Sequence, residues 1–273
     1  MDTPIEHRNE PQGDAPQPSS TSSSLSISAS SGRLDGRPVI VTGAAAGIGA
    51  AIARRLADEG AVVGLIDRHL DVGDVAAELG GCHAVADLTD DTALRVAFDE
   101  LLDELGGCWL LVNNAGRFLK RSLLDTSLDE WDAVQRLNVR ACVATIQAVA
   151  PTMIAAGAGR IVNQASMAAK LGTPGESAYA ASKAALVALS RIAAQELGPF
   201  GITVNAVCPG YVLTELGAES RDDATIASWT AASPLGRLAT PDDVAATVAH
   251  LASDDASYIT GQALNVTGGM CTW

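Results

Sequence analysis

The chain has 273 residues, of which 48% are hydrophobic and 18% charged, a composition and length that suit one globular domain plus a tail. Its formal net charge of −14 at pH 7 argues against a nucleic-acid partner, because nucleic-acid binding requires a basic surface. Residues 1–32 are rich in Ser, Pro, Gln and Thr, so we expect a disordered tail followed by a single domain at 33–273.

The sequence shows no pattern typical of export or of membrane insertion. The tail lacks the apolar core of a secretory signal, and no segment has the roughly 18 consecutive apolar residues of a membrane span. The cysteines have no C-x-x-C spacing and are scattered through apolar segments. We therefore expect a cytoplasmic protein with buried reduced thiols, no membrane partner and no metal.

The domain begins with an apolar run, a glycine-rich loop and a helix. Residues 37–42 predict a buried parallel strand, and residues 50–57 have apolar side chains at helical spacing. The glycines between them let the backbone approach a pyrophosphate, whose charge the helix N-terminus stabilises. The alternative is an ordinary tight turn. The expected cofactor contacts here are Gly43, Ala46, Gly47, Ile48 and Gly49.

An acidic residue ends the second predicted strand. Asp67 follows residues 61–66 and lies eighteen positions beyond Gly49, near the spacing of a carboxylate that binds the adenosine ribose. Such a carboxylate repels a 2′-phosphate, so Asp67 predicts NAD rather than NADP. Arg68 could instead contact a phosphate, and Asp67 could be a simple turn residue. We expect Asp67 to determine the preference.

Strand candidates alternate with helical segments along the whole domain. Helical periodicity is clear at 92–105 and 177–197. The strand candidates are residues 39–42, 62–66, 83–86, 110–113, 160–163, 203–207 and 263–266. This alternation predicts an α/β, three-layer Rossmann fold, with a single doubly wound seven-stranded parallel sheet and helices on both faces. The ligand crevice is then expected at the carboxyl ends of the strands.

Ser166, Tyr179 and Lys183 are the most informative candidate catalytic residues. Residues four apart share a helix face, so Tyr179 and Lys183 can meet at one reacting atom. A free tyrosine titrates near pH ~10, and a neighbouring cation lowers that pKa. Ser166 follows a predicted strand and offers a hydroxyl that can hold an alcohol or ketone oxygen. The alternative for the Tyr-x-x-x-Lys pair alone is a solvated helix face.

From residue 34 to 273 the chain resembles the short-chain dehydrogenase/reductase family. The matching residues are Thr42-Gly43-x-x-x-Gly47-x-Gly49, Asp87-Leu88, Asn113-Asn114-Ala115-Gly116, Asn138, Ser166, Tyr179-x-x-x-Lys183 and Pro209-Gly210. Their order and spacing also resemble the family. The resemblance implies a single three-layer domain that is a nicotinamide-dependent oxidoreductase, usually assembled as a tetramer or dimer.

The same resemblance implies roles for further residues. Asn138 would steady a water relay from Lys183 to solvent, unless it is simply bonded to the backbone. Tyr179 and Lys183 would belong to the cofactor site as well as to the catalytic set. The remaining cofactor contacts would be Asp87 and Leu88 at the adenine, and Pro209, Gly210, Val212 and Thr214 on the nicotinamide side. Asn113, Ala115 and Gly116 would line the adenosine ribose and stabilise the central strand.

The substrate pocket is expected beside these catalytic positions. Its candidate residues are Ser166, Met167, Ala168, Glu176, Tyr179 and Tyr211. Glu176 could bond a second substrate hydroxyl or could be a solvent-facing acid at a helix N-terminus. Residues 213–233 resemble a mobile lid. Arg117, Lys120 and Arg121 could hold an anionic group, or form a solvated loop.

Together these features predict hydride transfer between NAD(H) and a small secondary alcohol or ketone, of the polyol, sugar or hydroxy-acid class. The alternatives are an enzyme like 3-oxoacyl-[acyl-carrier-protein] reductase and a non-catalytic NAD-binding protein. The resemblance implies association through two helix layers, one around residues 128–156 and one carrying Tyr179. Residues 142–156 and 182–194 are apolar on more than one face, which supports a homotetramer, with a dimer as the alternative. We expect residues 268–273 to dock on the body or on a neighbouring subunit.

Overall fold

The computed structural model describes residues 32–214 and 222–273. The strands are β1 (Pro38–Thr42), β2 (Val62–Asp67), β3 (Cys82–Val85), β4 (Leu110–Asn113), β5 (Gly159–Gln164), β6 (Ile202–Pro209) and β7 (Ala263–Val266). The helices are α1 (Gly47–Asp58), α2 (Val72–Leu79), α3 (Asp91–Leu105), α4 (Leu128–Gln135), α5 (Ala141–Ala156), α6 (Ser177–Leu197), α7 (Asp223–Ala232) and α8 (Pro241–Ala252).

The strands form one parallel sheet in the order β3-β2-β1-β4-β5-β6-β7. The chain winds outwards from β1 in one direction, then crosses to β4 and continues in the other. In such a doubly wound sheet the ligand crevice lies where the strand order reverses, here between the ends of β1 and β4. The predicted seven-stranded Rossmann fold is confirmed.

Successive side chains of each central strand pack into two different hydrophobic cores, one on each face of the sheet. In β1, Val39 and Val41 pack with α1, α2 and α8, whereas Ile40 packs with α3 and α5. Side chains alternate across a strand, so a continuous apolar run requires helices on both sides of the sheet. This arrangement produces the three layers.

The apolar segment 128–156 is not one regular helix. A π-helical turn, Arg136–Arg140, separates α4 from α5 and contains the buried Asn138. The helical periodicity of the sequence does not predict this turn. Leu128–Ala156 is also the one run among the described residues with the length and apolar composition of a possible membrane span. Core helices share these properties, and α5 packs Ile146, Val149 and other side chains against the sheet core.

Several further expectations concern loops and termini. The tail at 1–31 and the lid residues Glu215, Glu219 and Arg221 lie outside the described residues. All five cysteines are buried and free, as predicted for structural thiols. The Trp273 side chain is 70% exposed, so it does not dock on the body of its own chain. Its backbone oxygen nevertheless accepts a hydrogen bond from Asn265 Nδ2 at 3.2 Å.

Candidate active site

A cleft of about 1900 Å³ lies at the carboxyl ends of the strands. Its volume exceeds the ~300–1,000 Å³ of an ordinary small-ligand pocket, which leaves room for a dinucleotide and a substrate together. Of the residues expected in the site, Asn113 and Asn138 lie outside its lining. The cleft brings together Gly43, Ala46, Gly47, Ile48, Gly49, Asp67, Arg68, Asp87, Leu88, Ala115, Gly116, Ser166, Met167, Ala168, Glu176, Tyr179, Lys183, Pro209, Gly210, Tyr211, Val212 and Thr214.

The glycine loop is shaped by two close backbone approaches. Gly43 has a φ of +67°, and a Cβ there would lie 2.8 Å from the Cα of Ala115. A Cβ on Gly49 would lie 2.0 Å from the carbonyl oxygen of Gly43 and 2.5 Å from Nδ2 of Asn114. Side chains therefore cannot replace these hydrogens without moving the loop, which explains why glycine is needed at both positions.

The start of α1 is suited to bind a pyrophosphate. Ala46 precedes the helix and provides no side-chain cap, and the first turn contains no acidic residue. The first backbone N–H groups of a helix have no partner within the helix, and its dipole favours a negative charge there. Gly47, Ile48 and Gly49 line the cleft at this point. These residues fit the pyrophosphate of a nicotinamide dinucleotide.

The two aspartates expected at the adenosine end are held by backbone hydrogen bonds. Asp67 accepts from the N–H of Ala45 at 3.1 Å and from that of His69 at 3.0 Å, which fixes its carboxylate at the end of β2. Asp87 accepts from the Thr89 N–H and hydroxyl, both at 2.8 Å, and these bonds hold the pKa of its carboxyl below the ordinary value. Both side chains are thus oriented beside the cleft.

The Asn113 side chain enters the protein interior and does not line the cleft, so of its two expected roles it has the one of stabilising the central strand. Its Nδ2 donates to Asn163 at 2.9 Å, and its Oδ1 accepts from the Thr145 hydroxyl at 2.6 Å. These contacts brace the central strand. The neighbouring Asn114 lines the cleft and donates to the carbonyl oxygens of Thr42 at 3.0 Å and Gly43 at 2.9 Å. Alternation along a strand could have identified Asn114 as the cleft residue.

Asn138 is completely buried, and its side chain is hydrogen-bonded to the backbone of Arg117 beside the site. Its Oδ1 accepts from the Arg117 N–H at 2.8 Å, while its Nδ2 donates to the Arg117 carbonyl at 3.0 Å and to the Ser182 hydroxyl at 2.9 Å. This is the backbone-bonded alternative stated above. The side chain therefore positions the segment after β4, and the water relay implied by the resemblance stays a prediction.

Ser166, Tyr179 and Lys183 meet in the cleft, as their spacing predicts. Ser166 lies just beyond β5, and its hydroxyl accepts from the Ala168 N–H at 3.1 Å and lies near the Tyr179 phenol. The Tyr179 ring packs edge-on against Phe118 with centroids 5.0 Å apart. Lys183 is buried, and its Nζ lies 5.6 Å from the Tyr179 ring centroid and donates to the Gln164 carbonyl at 2.6 Å.

Burial changes the pKa values of this pair. Burial raises the pKa of Tyr179 to about 12, although the nearby Ser166 hydroxyl acts in the opposite direction. Burial also lowers the pKa of Lys183 to about 8. Loss of solvation is thus the largest effect on Tyr179 in the protein without cofactor, and the lowering of its pKa by charged Lys183 stays a prediction.

An aromatic wall that the sequence did not reveal closes the substrate side. Trp229 of α7 stacks on Tyr211 with ring centroids 3.9 Å apart and an interplanar angle of 6°. Trp229 and Phe118 both line the cleft. Of the basic cluster, Arg117 and Lys120 also line it, whereas Arg121 pairs with Glu130 at 3.1 Å. Only the packing of α7 against the body could place Trp229 here.

Comparison with known proteins identifies the family. A family model described as enoyl-(acyl carrier protein) reductase matches residues 43–271, which is most of the chain. The chain belongs to the short-chain dehydrogenase/reductase family. The predictions of this family and of an enzyme that acts on CH–OH groups are therefore confirmed. Among the described residues of this dehydrogenase/reductase, no group of three or more His, Cys, Asp or Glu side chains is placed to hold a metal ion.

Relatives within the short-chain dehydrogenase/reductase family include enzymes with different substrates. D-threitol dehydrogenase of Mycolicibacterium smegmatis is 39% identical over 87% of this chain and 94% of its own. The 3-oxoacyl-[acyl-carrier-protein] reductase FabG of Vibrio cholerae is 35% identical over 87% of this chain and 98% of its own. A gluconate 5-dehydrogenase from Burkholderia cenocepacia, solved with NADP and tartrate, is 34% identical and superposes with a TM-score of 0.84. The match covers 87% of this chain and 96% of that one.

Proposed function

We propose that this enzyme transfers hydride between NAD(H) and a small secondary alcohol or ketone of the polyol, sugar or hydroxy-acid class. The observation that carries the proposal is the convergence of Ser166, Tyr179 and Lys183 in the same cleft as the uncapped start of α1. The complete catalytic set argues against a non-catalytic NAD-binding protein. Similarity to D-threitol dehydrogenase supports the polyol class.

The roles of the three residues follow from their contacts. In oxidation, the Ser166 hydroxyl hydrogen-bonds the substrate oxygen, and Tyr179 as phenolate accepts the hydroxyl proton. Bound NAD⁺ supplies the hydride acceptor, and its positive charge favours the phenolate. Lys183 in its charged form favours the phenolate as well. In the reverse direction Tyr179 acts as the acid and returns the proton to the substrate oxygen.

The experiment that tests this function measures nicotinamide reduction at 340 nm with a panel of polyols, sugars, hydroxy acids and simple secondary alcohols. We expect NAD-dependent turnover with at least one polyol or related secondary alcohol. Lack of turnover with every member of the panel, in a folded protein that binds NADH, would contradict the proposal.

Reduction of 3-oxoacyl thioesters is the second candidate, since FabG of Vibrio cholerae is 35% identical to this chain. Basic residues in the glycine loop or after the second strand often hold NADPH in such reductases. The glycine loop here has alanines from Ala44 to Ala46 and offers no such charge, although Arg68 follows the second strand. A higher kcat/KM with a 3-oxoacyl thioester and NADPH than with any alcohol and NAD would favour this alternative.

We also propose that NAD(H) is preferred over NADP(H). The Asp67 carboxylate is fixed by two backbone N–H groups beside the cleft, where it can accept bonds from ribose hydroxyls and would repel a 2′-phosphate. The related gluconate 5-dehydrogenase was solved with NADP, so cofactor choice differs between members and must be measured here.

Asp67→Ala is expected to reduce the ratio of kcat/KM for NAD to that for NADP by about tenfold or more. The change removes the repulsion between the Asp67 carboxylate and the 2′-phosphate of NADP, and a repulsion of ~1.4 kcal/mol corresponds to a tenfold ratio. The measurement is kcat/KM with NAD and with NADP for both proteins. Asp74→Ala, which removes an exposed acid from α2 outside the cleft, is the matched control and should leave the ratio unchanged. A wild-type enzyme with higher kcat/KM for NADP would refute the preference.

A homotetramer in the cytoplasm completes the proposed function. Apolar side chains at the start of α4 and on α6 remain exposed, with Leu124 and Leu128 at 95% and 81% and Ile192 at 51%. Trp273 is exposed as well, and an oligomer interface would remove such side chains from water. Light scattering at micromolar concentration should give four times the 27.9 kDa chain mass, and a monomer would contradict this proposal.

A further inference from the structure

Glu176 is an acidic side chain at the substrate end of the cleft that the catalytic steps above do not use. It directly precedes α6 and lies three residues before Tyr179, so the two side chains project from the same side of the first helical turn. Glu176 is half-buried and lines the cleft together with Ser166 and Tyr179. It thus faces the place where the substrate must lie.

The surroundings of Glu176 show that its carboxylate is close to both tyrosines of the pocket. Its charge contributes to raising the pKa of Tyr179 and the pKa of Tyr211, in both cases after the larger effect of burial. Burial also raises the pKa of Glu176 itself, and the Lys120 ammonium acts in the opposite direction. The carboxylate is therefore partly desolvated in the cleft that the catalytic phenol and the aromatic wall also line.

The backbone of Glu176 is firmly held, whereas its side chain makes no hydrogen bond or salt bridge with another described residue. Its N–H donates to the Thr173 carbonyl at 3.1 Å, and its carbonyl accepts from the Ala180 N–H at 2.7 Å. Although Glu176 directly precedes the helix, its carboxylate does not cap it. The side chain is half-buried in the cleft, so the fully solvent-facing alternative considered from the sequence does not describe it.

We propose that Glu176 selects neutral polyols, by accepting a hydrogen bond from a second hydroxyl next to the reacting carbon and by repelling substrates with a carboxylate at that position. This inference rests on the proposed function, in which the reacting alcohol gives its proton to Tyr179 and its hydride to NAD⁺. The stacked Tyr211 and Trp229 rings line the same cleft and offer an apolar surface for the C–H groups of a polyol.

The charge of Glu176 also separates two substrate classes that the sequence left open. Arg117 and Lys120 could hold a hydroxy acid, but both are exposed, and Lys120 lies over Gly175 with its Cγ 3.7 Å from a Cβ placed there. Glu176 is the more buried charge and lies beside Tyr179. A carboxylate bound next to the reacting carbon would meet this like charge in a partly desolvated site, where repulsion is strong.

The test compares three four-carbon alcohols: threitol, which is neutral with neighbouring hydroxyls, threonate, which carries a carboxylate, and 2-butanol, which has one hydroxyl. Values of kcat/KM are measured with NAD for the wild type and for Glu176→Gln. Glu196→Gln is the matched control, since it removes an exposed acid near the far end of the same helix. Melting temperatures verify that each variant is folded.

We expect the wild type to prefer threitol to both other alcohols. Glu176→Gln should lower kcat/KM for threitol by about tenfold, because the amide oxygen still accepts the hydrogen bond and only the strengthening by the charge is lost. The same change should raise kcat/KM for threonate and alter that for 2-butanol by less than about threefold, while Glu196→Gln should leave all three values unchanged.

Two outcomes separate failure of this inference from failure of the proposed function. A wild type that prefers threonate, or a Glu176→Gln enzyme with an unchanged ratio of threitol to 2-butanol activity, would overturn the role of Glu176 while leaving the dehydrogenase function intact. A folded wild type without turnover on any secondary alcohol would overturn both.

Discussion

Replacing Tyr179 with phenylalanine is expected to lower kcat by ~10²–10⁴-fold while NADH binding stays within a few-fold of the wild type. The phenylalanine ring preserves the edge-on contact with Phe118, whose centroid lies 5.0 Å away, so the pocket wall should keep its shape. The change removes the hydroxyl that we propose exchanges a proton with the substrate. Steady-state turnover and NADH fluorescence titration measure the two effects separately.

The control for this experiment is Tyr258→Phe, which removes a phenol from a fully exposed tyrosine outside the cleft. It should retain wild-type turnover. If Tyr179→Phe kept more than about a tenth of the wild-type kcat, the proton would have to pass through another group, and the assignment of Tyr179 as the acid–base residue would fail.

Gly49→Ala is expected to weaken dinucleotide binding by at least about tenfold and to lower the melting temperature. The added Cβ would lie 2.0 Å from the Gly43 carbonyl oxygen and 2.5 Å from Asn114 Nδ2, so the loop must move away from α1. Overpacking of this kind typically costs ~1–3 kcal/mol, and it also displaces the N–H groups at the start of α1 that are placed for a pyrophosphate. Calorimetric titration with NADH and thermal unfolding measure the two consequences.

Gly198→Ala is the matched control, because a Cβ there meets no atom within 4 Å and the residue lies at the end of α6, away from the cleft. Binding of NADH should be unaffected in this variant. Unimpaired NADH binding in folded Gly49→Ala would mean that the glycine loop does not hold the pyrophosphate, and the cofactor site would have to be placed elsewhere.

The fold and the main site could be predicted from the sequence because local patterns determine them. Parallel strands buried on both faces require apolar runs, and the strand predicted at Leu110–Asn113 has the same bounds in the structure. The partly buried edge strand Ala263–Val266 also has its predicted bounds. The glycine loop and the Tyr179–Lys183 pair are likewise short-range features, because their chemistry depends on residues within one turn or one loop. Long, regular elements then carry them to one edge of the sheet.

Other features depended on contacts between distant segments and could not be predicted in this way. The Asn113 side chain points inward because it is hydrogen-bonded to Asn163 on β5 and to Thr145 on α5. The Asn138 side chain is hydrogen-bonded to the Arg117 backbone after β4. The stacking of Trp229 on Tyr211 likewise requires α7 to fold over the cleft.

The pKa values show most clearly the division between sequence and tertiary structure. The sequence determined that Tyr179 and Lys183 share a helix face, because this follows from helical geometry alone. Only the tertiary structure decided how deeply both groups are buried, and burial raises the pKa of Tyr179 to about 12 and lowers that of Lys183 to about 8. Desolvation depends on all the surrounding elements together, so no local pattern in the chain encodes it.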